Sequence, residues 1–200
     1  SYEIFLNRLK DASPYTPPAP GSPTTLWEST TPILDQGDTI FGVAFAWAQW
    51  ANTLPNTKEY ENWDAIEINN AIYVLDGGSV GIGYSIRSGA RVMKGRGLLA
   101  KYAFTKTLDT ALEWVQYKGP LVVGSDWTED MFSPDQDGLV VPTGVVQGGH
   151  SYVMVGYDGN DLIEFVNVWE DSFGVDGHFF MHKTDFEPLL ADSGEFCTSV

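Results

Sequence analysis

The stretch GHSYVMVGYDGNDLIEFVNVW, Gly149 to Trp169, reads as two strands joined by a tight turn. β-branched and aromatic residues fill both arms, and Asp158-Gly159 suits a two-residue hairpin turn because both positions tolerate the left-handed backbone that such turns require. With that turn, His150 falls directly opposite Asn167, where cross-strand Cβ atoms stand about 4.5–5.5 Å apart and an imidazole can hydrogen-bond an amide. A longer turn running through Asn160 shifts the pairing by one. The bland reading of the pair is a buried histidine satisfied by its neighbour.

Working outward, further strands are expected at Leu121 to Ser125, Leu139 to Val146 and His178 to His182, bounded by Gly, Pro, Asp and Asn, with the hairpin arms running His150 to Tyr157 and Leu162 to Trp169. Four helices precede them. Gly42 to about Thr53 is apolar on nearly all sides, which places it inside the protein, and Pro55 stops it. Asp64 to Leu75 opens on an Asp64/Glu67 capping box, Ser85 to Arg96 closes at Gly97, and Thr107 to Lys118 ends at Gly119-Pro120. Helices first and strands second argue for an α+β domain, with a helical half at about 26–118 and an antiparallel sheet half at about 119–200. Residues 1–25, with five prolines between Ser13 and Pro23, read as an N-terminal extended arm, either a linker or a partner-binding segment.

The 200 residues carry 27 acidic and 11 basic side chains, a net charge of −16, with 43% hydrophobic content, enough for one sizeable core. That charge repels phosphate backbones and anionic lipid, so neither nucleic acid nor membrane is an expected partner, while cationic ones remain open. The longest nearly apolar run, Phe41 to Ala51, is too short to span a bilayer, and the chain is expected to be soluble. Cys197 is the single cysteine, so no internal disulfide forms. His178 and His182 share one strand face but lack an identifiable third ligand, and Asp135-Gln136-Asp137-Gly138 lacks the rest of a calcium-loop pattern, so no metal is read. Trp47, Trp50 and Trp114 are read as core.

Three segments carry a resemblance: DQGDTIFGVAFAWAQWA (Asp35 to Ala51), GGHSYVMVGYD (Gly148 to Asp158) and FVNVWEDSFGVDGHFF (Phe165 to Phe180). In order and separation they resemble the signature blocks of papain-like cysteine peptidases, over about residues 26 to 187. GIGYSIRSGARVMKGRGL and GPLVVGSDWTEDMFSPDQDG resemble the bacterial and phage-encoded branch. The resemblance implies a papain-like fold, with a buried central helix packed against the sheet, and no cofactor. It implies that Gln36 helps form the oxyanion hole, that His150 is the base, that Asn167 orients the ring and that Trp169 shields their bond from water. Gly81 and Gly83 fall where relatives let a substrate backbone approach.

Gly42 stands six residues after Gln36, where the resemblance places the nucleophilic cysteine. Glycine has no atom that can attack a carbonyl, so the expectation is a chain that is not an enzyme: a catalytically inactive domain that binds protein partners. The phage-like segments and the Pro-rich arm suggest a virion component, either a head-decoration or a tail-associated protein. The alternatives are a hydrolase with a relocated nucleophile, for which Thr39 and Cys197 are the candidates, and a peptide- or glycan-binding module. Asp35 and Asp38 are read as loop caps. Ligand, host and oligomeric state are not legible.

Overall fold

The computed structural model describes residues 26–78, 84–191 and 194–200. Helix α1, Gly42–Ala51, is buried along its whole length, as its all-round apolar sequence demands. Its one long polar side chain, Gln49, is satisfied internally: Oε1 accepts from the Leu34 N–H at 3.0 Å, and Nε2 donates to Ser29 Oγ at 3.0 Å. Against α1 pack α2, Asn62–Leu75, and α3, Ile86–Gly95. The α2 start lies two residues earlier than the Asp64 read from sequence, and the box that caps it joins Glu61 to Asp64. Helix α3 is capped by Ser85, whose side chain accepts from the Ser88 N–H.

The packing of α3 onto α1 depends on Gly89. A Cβ there would lie 2.1 Å from the Trp47 ring, so only glycine lets the two helices approach at that level. The Trp47 indole N–H donates to the Ile86 carbonyl at 2.9 Å and locks the contact.

Six strands form one antiparallel sheet: β1 (Tyr102–Thr105), β2 (Leu121–Thr128), β3 (Val146–Tyr157), β4 (Leu162–Val166), β5 (His178–His182) and β6 (Glu195–Ser199), in the order β1-β6-β2-β3-β4-β5. Alternation along the strands sends Val122, Val153, Val155 and Val166 toward α1. Leu121, Val123, Tyr152, Met154 and Phe165 point to the opposite face, which is covered by α4, Leu108–Tyr117, and by the short helix α5, Lys183–Phe186. Both faces are therefore dry, which explains why β3 is buried continuously from Ser151 to Tyr157. No helix among the described residues is long and apolar enough to cross a membrane.

Several expectations need correcting. Strands β1 and β6 were not read from sequence, and β1 lies among the helices in chain order. The strand expected at Leu139 to Val146 survives only as a bridge from Leu139 to Phe180 and as the first residue of β3. Between them Pro142 has no N–H to give a ladder and Gly144 adopts φ +83°, so the segment turns. The hairpin register also differs. Asp158 Oδ1 accepts from the N–H groups of Asn160, Asp161 and Leu162, which holds a longer loop than the two-residue turn, and Tyr157 pairs with Ile163. The second arm ends at Val166 and not at Trp169, because the Asn167 N–H turns aside to the Gly177 carbonyl.

Candidate active site

Residues 34–36 run alongside the chain that leaves β4. The Gln36 N–H donates to the Val168 carbonyl at 2.9 Å, the Glu170 N–H donates to the Leu34 carbonyl at 3.1 Å, and Asp35 bridges Trp169. This short pairing brings the loop before α1 against the residues after β4. The loop then turns at Gly37, φ +55°, whose N–H is held by Asp35 Oδ1 at 2.8 Å. It delivers Gly42 to the first position of α1.

His150 projects from β3, opposite Ser125 of β2. Its Nε2 lies 2.8 Å from Asn167 Oδ1. That oxygen also accepts from the Val168 N–H at 2.9 Å, which identifies it as the carbonyl end of the amide. Nε2 therefore carries the proton, and Nδ1 presents a bare lone pair. Burial pushes the imidazole down to about 4, only partly offset by the Asn167 hydrogen bond, so the ring is neutral at pH 7. By area the ring is half-buried, with one edge open to the cleft and the Trp169 and Trp127 rings packed against it.

A Cβ built on Gly42 would stand 3.4 Å from His150 Nδ1 and 3.3 Å from Gln36 Oε1. The histidine, the asparagine, the glutamine and the first residue of α1 thus converge on one point. Two details of the glutamine depart from the role its resemblance implies. Its Nε2 donates to the Thr39 carbonyl at 2.7 Å, and its Oε1, without a partner among the described residues, is the atom that faces Gly42. Turning the amide over would set Oε1 against the Thr39 carbonyl oxygen, so the hydrogen bond fixes the orientation.

An aromatic wall closes the sheet side. Trp169 stacks on His150 at 4.6 Å and 25°, and Phe132 stacks on the next ring out, 5.5 Å from Trp169 at 5°. Trp127 meets both His150 and Trp169 edge-on, at 4.8 and 5.2 Å. Such contacts contribute about 0.5–1.5 kcal/mol each beyond area burial and fix the ring's position. Beneath them, Tyr152 Oη and Ser125 Oγ form a buried 2.7 Å hydrogen bond.

A cleft of about 630 Å³ opens between α1 and the sheet, lined by Tyr84, Ser85, Ile86, Gly124, Phe132 and Glu195, among others. Among its described lining residues Glu195 is the one acid, and neither lysine nor arginine joins it. Burial pushes its carboxyl up, against the pull of Arg87 and Lys106.

Trp127, Phe132 and Glu195 were not singled out from the sequence. Trp127 had a usable signal, since Leu121, Val123, Ser125 and Trp127 alternate onto one face of β2. Gly81 and Gly83 lie outside the described residues. Cys197 is fully buried within β6, between β1 and β2, and burial holds its thiol well above the usual range, which removes it as a stand-in nucleophile. The Thr39 hydroxyl is engaged with the Gln36 carbonyl at 2.7 Å. His178 and His182 each pair with a carboxylate, Glu164 at 2.8 Å and Asp161 at 2.7 Å.

No family model matches the sequence, and no curated protein matches it. Solved structures do. Xylellain, a cysteine protease from Xylella fastidiosa, is 17% identical over 93% of this chain and 91% of its own, with a TM-score of 0.66. Digestive procathepsin L 3 of the Tenebrio molitor larval midgut is 16% identical over 100% of this chain and 79% of its own, TM-score 0.64. The procathepsin L2 proteinase of the same tissue is 13% identical over 94% and 70%, TM-score 0.52. These likenesses correct the expectation, drawn from Gly42 alone, that the chain is not an enzyme: the proteins that share its architecture are named as proteases, and the fold is an enzyme fold. At these identities the likeness is one of fold, and the chain has a papain-like α+β fold.

Proposed function

We propose that the cleft is a peptide site of the cysteine-peptidase kind, which takes an extended polypeptide past Gly42 with a basic side chain directed at Glu195. The observation that carries this reading is the oriented His150–Asn167 pair, whose bare Nδ1 faces the first residue of a buried helix across an open cleft. That is the geometry a thiol at position 42 would need: a helix N-terminus and an adjacent imidazole both favour the thiolate. The net charge of −16 and the acid in the cleft wall favour a cationic ligand over an anionic one. Ordinary hydrogen bonding to an extended backbone and apolar contact with Tyr84 and Ile86 supply the remainder.

Gly42→Cys tests this directly. The variant chain, treated with a peptidyl electrophile carrying a basic side chain, is expected to be alkylated at position 42 far faster than at Cys197, and the rate is expected to fall at least about tenfold when His150→Ala is added. A folded Gly42→Cys chain that reacts no faster than a free thiol, with or without His150, contradicts the reading. Nothing among the described residues favours the place in a virus particle suggested by the sequence.

A further inference from the structure

We propose that the outer face of α2, together with the acidic pocket beside its first turn, docks a basic amphipathic helix of a partner protein. Helix α2 buries Ala65, Ile68 and Ile72 in the core it shares with α1, which uses one side of it. On the opposite side, counting about 100° per residue, Trp63, Ile66, Tyr73 and Val74 fall within a sector of roughly 100°. All four are exposed, Trp63 by 55% and Val74 by 76%. The chain has seven tryptophans, and Trp63 is the exposed one. At about 1.5 Å of rise per residue the stripe runs roughly 16 Å along the helix. Single exposed apolar residues are ordinary, whereas a tryptophan in line with three more marks an interaction surface.

The charge around the stripe selects its occupant. From Glu59 to Ile86 the sequence carries five acids, Glu59, Glu61, Asp64, Glu67 and Asp76, and no lysine or arginine. Such a face repels anionic lipid and nucleic acid, and it repels a second copy of this chain, which would set the same acids against themselves. A cationic, partly apolar surface is complementary to it. A helix fits better than an extended strand, because the stripe is a single helical ridge whose backbone hydrogen bonds are spent internally, with no ladder edge to extend. Apolar side chains of the incoming helix pack along Ile66, Tyr73 and Val74. Its flanking bases reach Glu67, which borders the stripe one turn on from Trp63.

The first turn of α2 adds an anchor. A cavity of about 450 Å³ lies beside it, lined by Ile33, Leu34, Glu59, Tyr60, Glu61 and Asn62, among others. Trp63 Nε1 donates to Glu61 Oε2 at 3.1 Å, which sets the indole beside that carboxylate. A lysine or arginine at the end of the docked helix finds a matching environment here. Its apolar stem lies along Ile33, Leu34 and Tyr60, while its charged head meets Glu59 and Glu61 with the indole as a cation–π neighbour. No residue of α2 or of this cavity is among the described residues that line the cleft at Gly42, so the surface is separate from the peptide site proposed above.

The experiment uses the full chain and a synthetic peptide of about 18 residues, long enough to cover the stripe, with leucine on one helical face and lysine and arginine beside it. Calorimetric titration of the native chain is compared with Trp63→Ala and Val74→Asp, each expected to weaken binding at least about tenfold, the scale of a lost interface anchor. Glu67→Lys, which removes no packing, is expected to weaken it as well and keeps the test decisive should Trp63→Ala loosen the first turn. A scrambled peptide of the same composition keeps the charge, loses the apolar face and is expected to bind at least about tenfold more weakly. Equal affinity of the native chain and all three variants, equal affinity for the two peptides, or no binding by the native chain overturns the surface. Loss of affinity with Glu195→Gln in place of Trp63→Ala would put the peptide in the cleft and also overturns it. So does native-chain binding to phosphatidylserine vesicles in preference to the peptide, or self-association of the native chain that Trp63→Ala abolishes, since the occupant would then be a membrane or a second copy.

Discussion

The two banks of the cleft are built by opposite means. On the sheet bank, His150 is held by mass: Trp169 stacked on one side, Trp127 edge-on, Phe132 behind them and Asn167 beneath, each a large or buried group with a defined contact. On the helical bank, position is achieved by removing atoms. Gly89 lets α3 meet the Trp47 ring, and Gly42 leaves its place at the head of α1 open beside Gln36 and His150. The contrast teaches that orientation of the base and supply of a nucleophile are separable. The first needs a packed wall, whereas the second needs one side chain.

The sheet bank has the larger energetic signature. Because the folded imidazole is pushed down to about 4 from an ordinary 6.5, the unfolded chain binds the extra proton between those values. The stability associated with a neutral His150 is therefore complete above pH 6.5 and is lost as pH falls toward 4. His150→Gln is expected to lose roughly 2–3 kcal/mol less stability than the native chain over that interval, read from urea unfolding at several pH values. Equal acid sensitivity in both chains would mean that the ring is not desolvated by its wall.

On the helical bank, Gly89→Ala is expected to destabilise by about 1–3 kcal/mol, since the new Cβ overlaps the Trp47 ring and the helices must part. Thermal unfolding checks it, and an unchanged melting temperature would show that α1 and α3 are not held at their closest approach. The smallest effect belongs to the cleft wall between the banks. Glu195→Gln is expected to weaken a lysine- or arginine-containing peptide by about fivefold, the scale of a partly exposed charge contact. In the native chain that affinity should decline as pH falls through the raised carboxyl value of Glu195. Calorimetric titration at two pH values separates this from a neutral groove.

Much of this was legible in the residues. The central helix announced itself by being apolar all round, and β5 was read at its observed bounds. The His150–Asn167 contact was anticipated for an incomplete reason: a two-residue turn would make the residues cross-strand partners, whereas Asp158 holds a longer loop and Asn167 reaches His150 after leaving the ladder. Turn length depends on side-chain hydrogen bonds that strand alternation does not encode. Strands β1 and β6 were missed because YAFT and EFCTS are too short for a periodic signal and form by pairing with each other across the whole domain. The orientation of the Gln36 amide was beyond sequence altogether, since it is decided by one carbonyl three residues along.

The central claim is that His150 is a neutral ring with Nε2 protonated toward Asn167 and Nδ1 bare toward Gly42. Nitrogen-15 NMR of the imidazole measures this, by the chemical shifts of the two ring nitrogens across a pH titration. The account predicts an Nε2–H tautomer at pH 7 that titrates only near 4. An Nδ1–H tautomer, or titration at the ordinary 6.5, would contradict it.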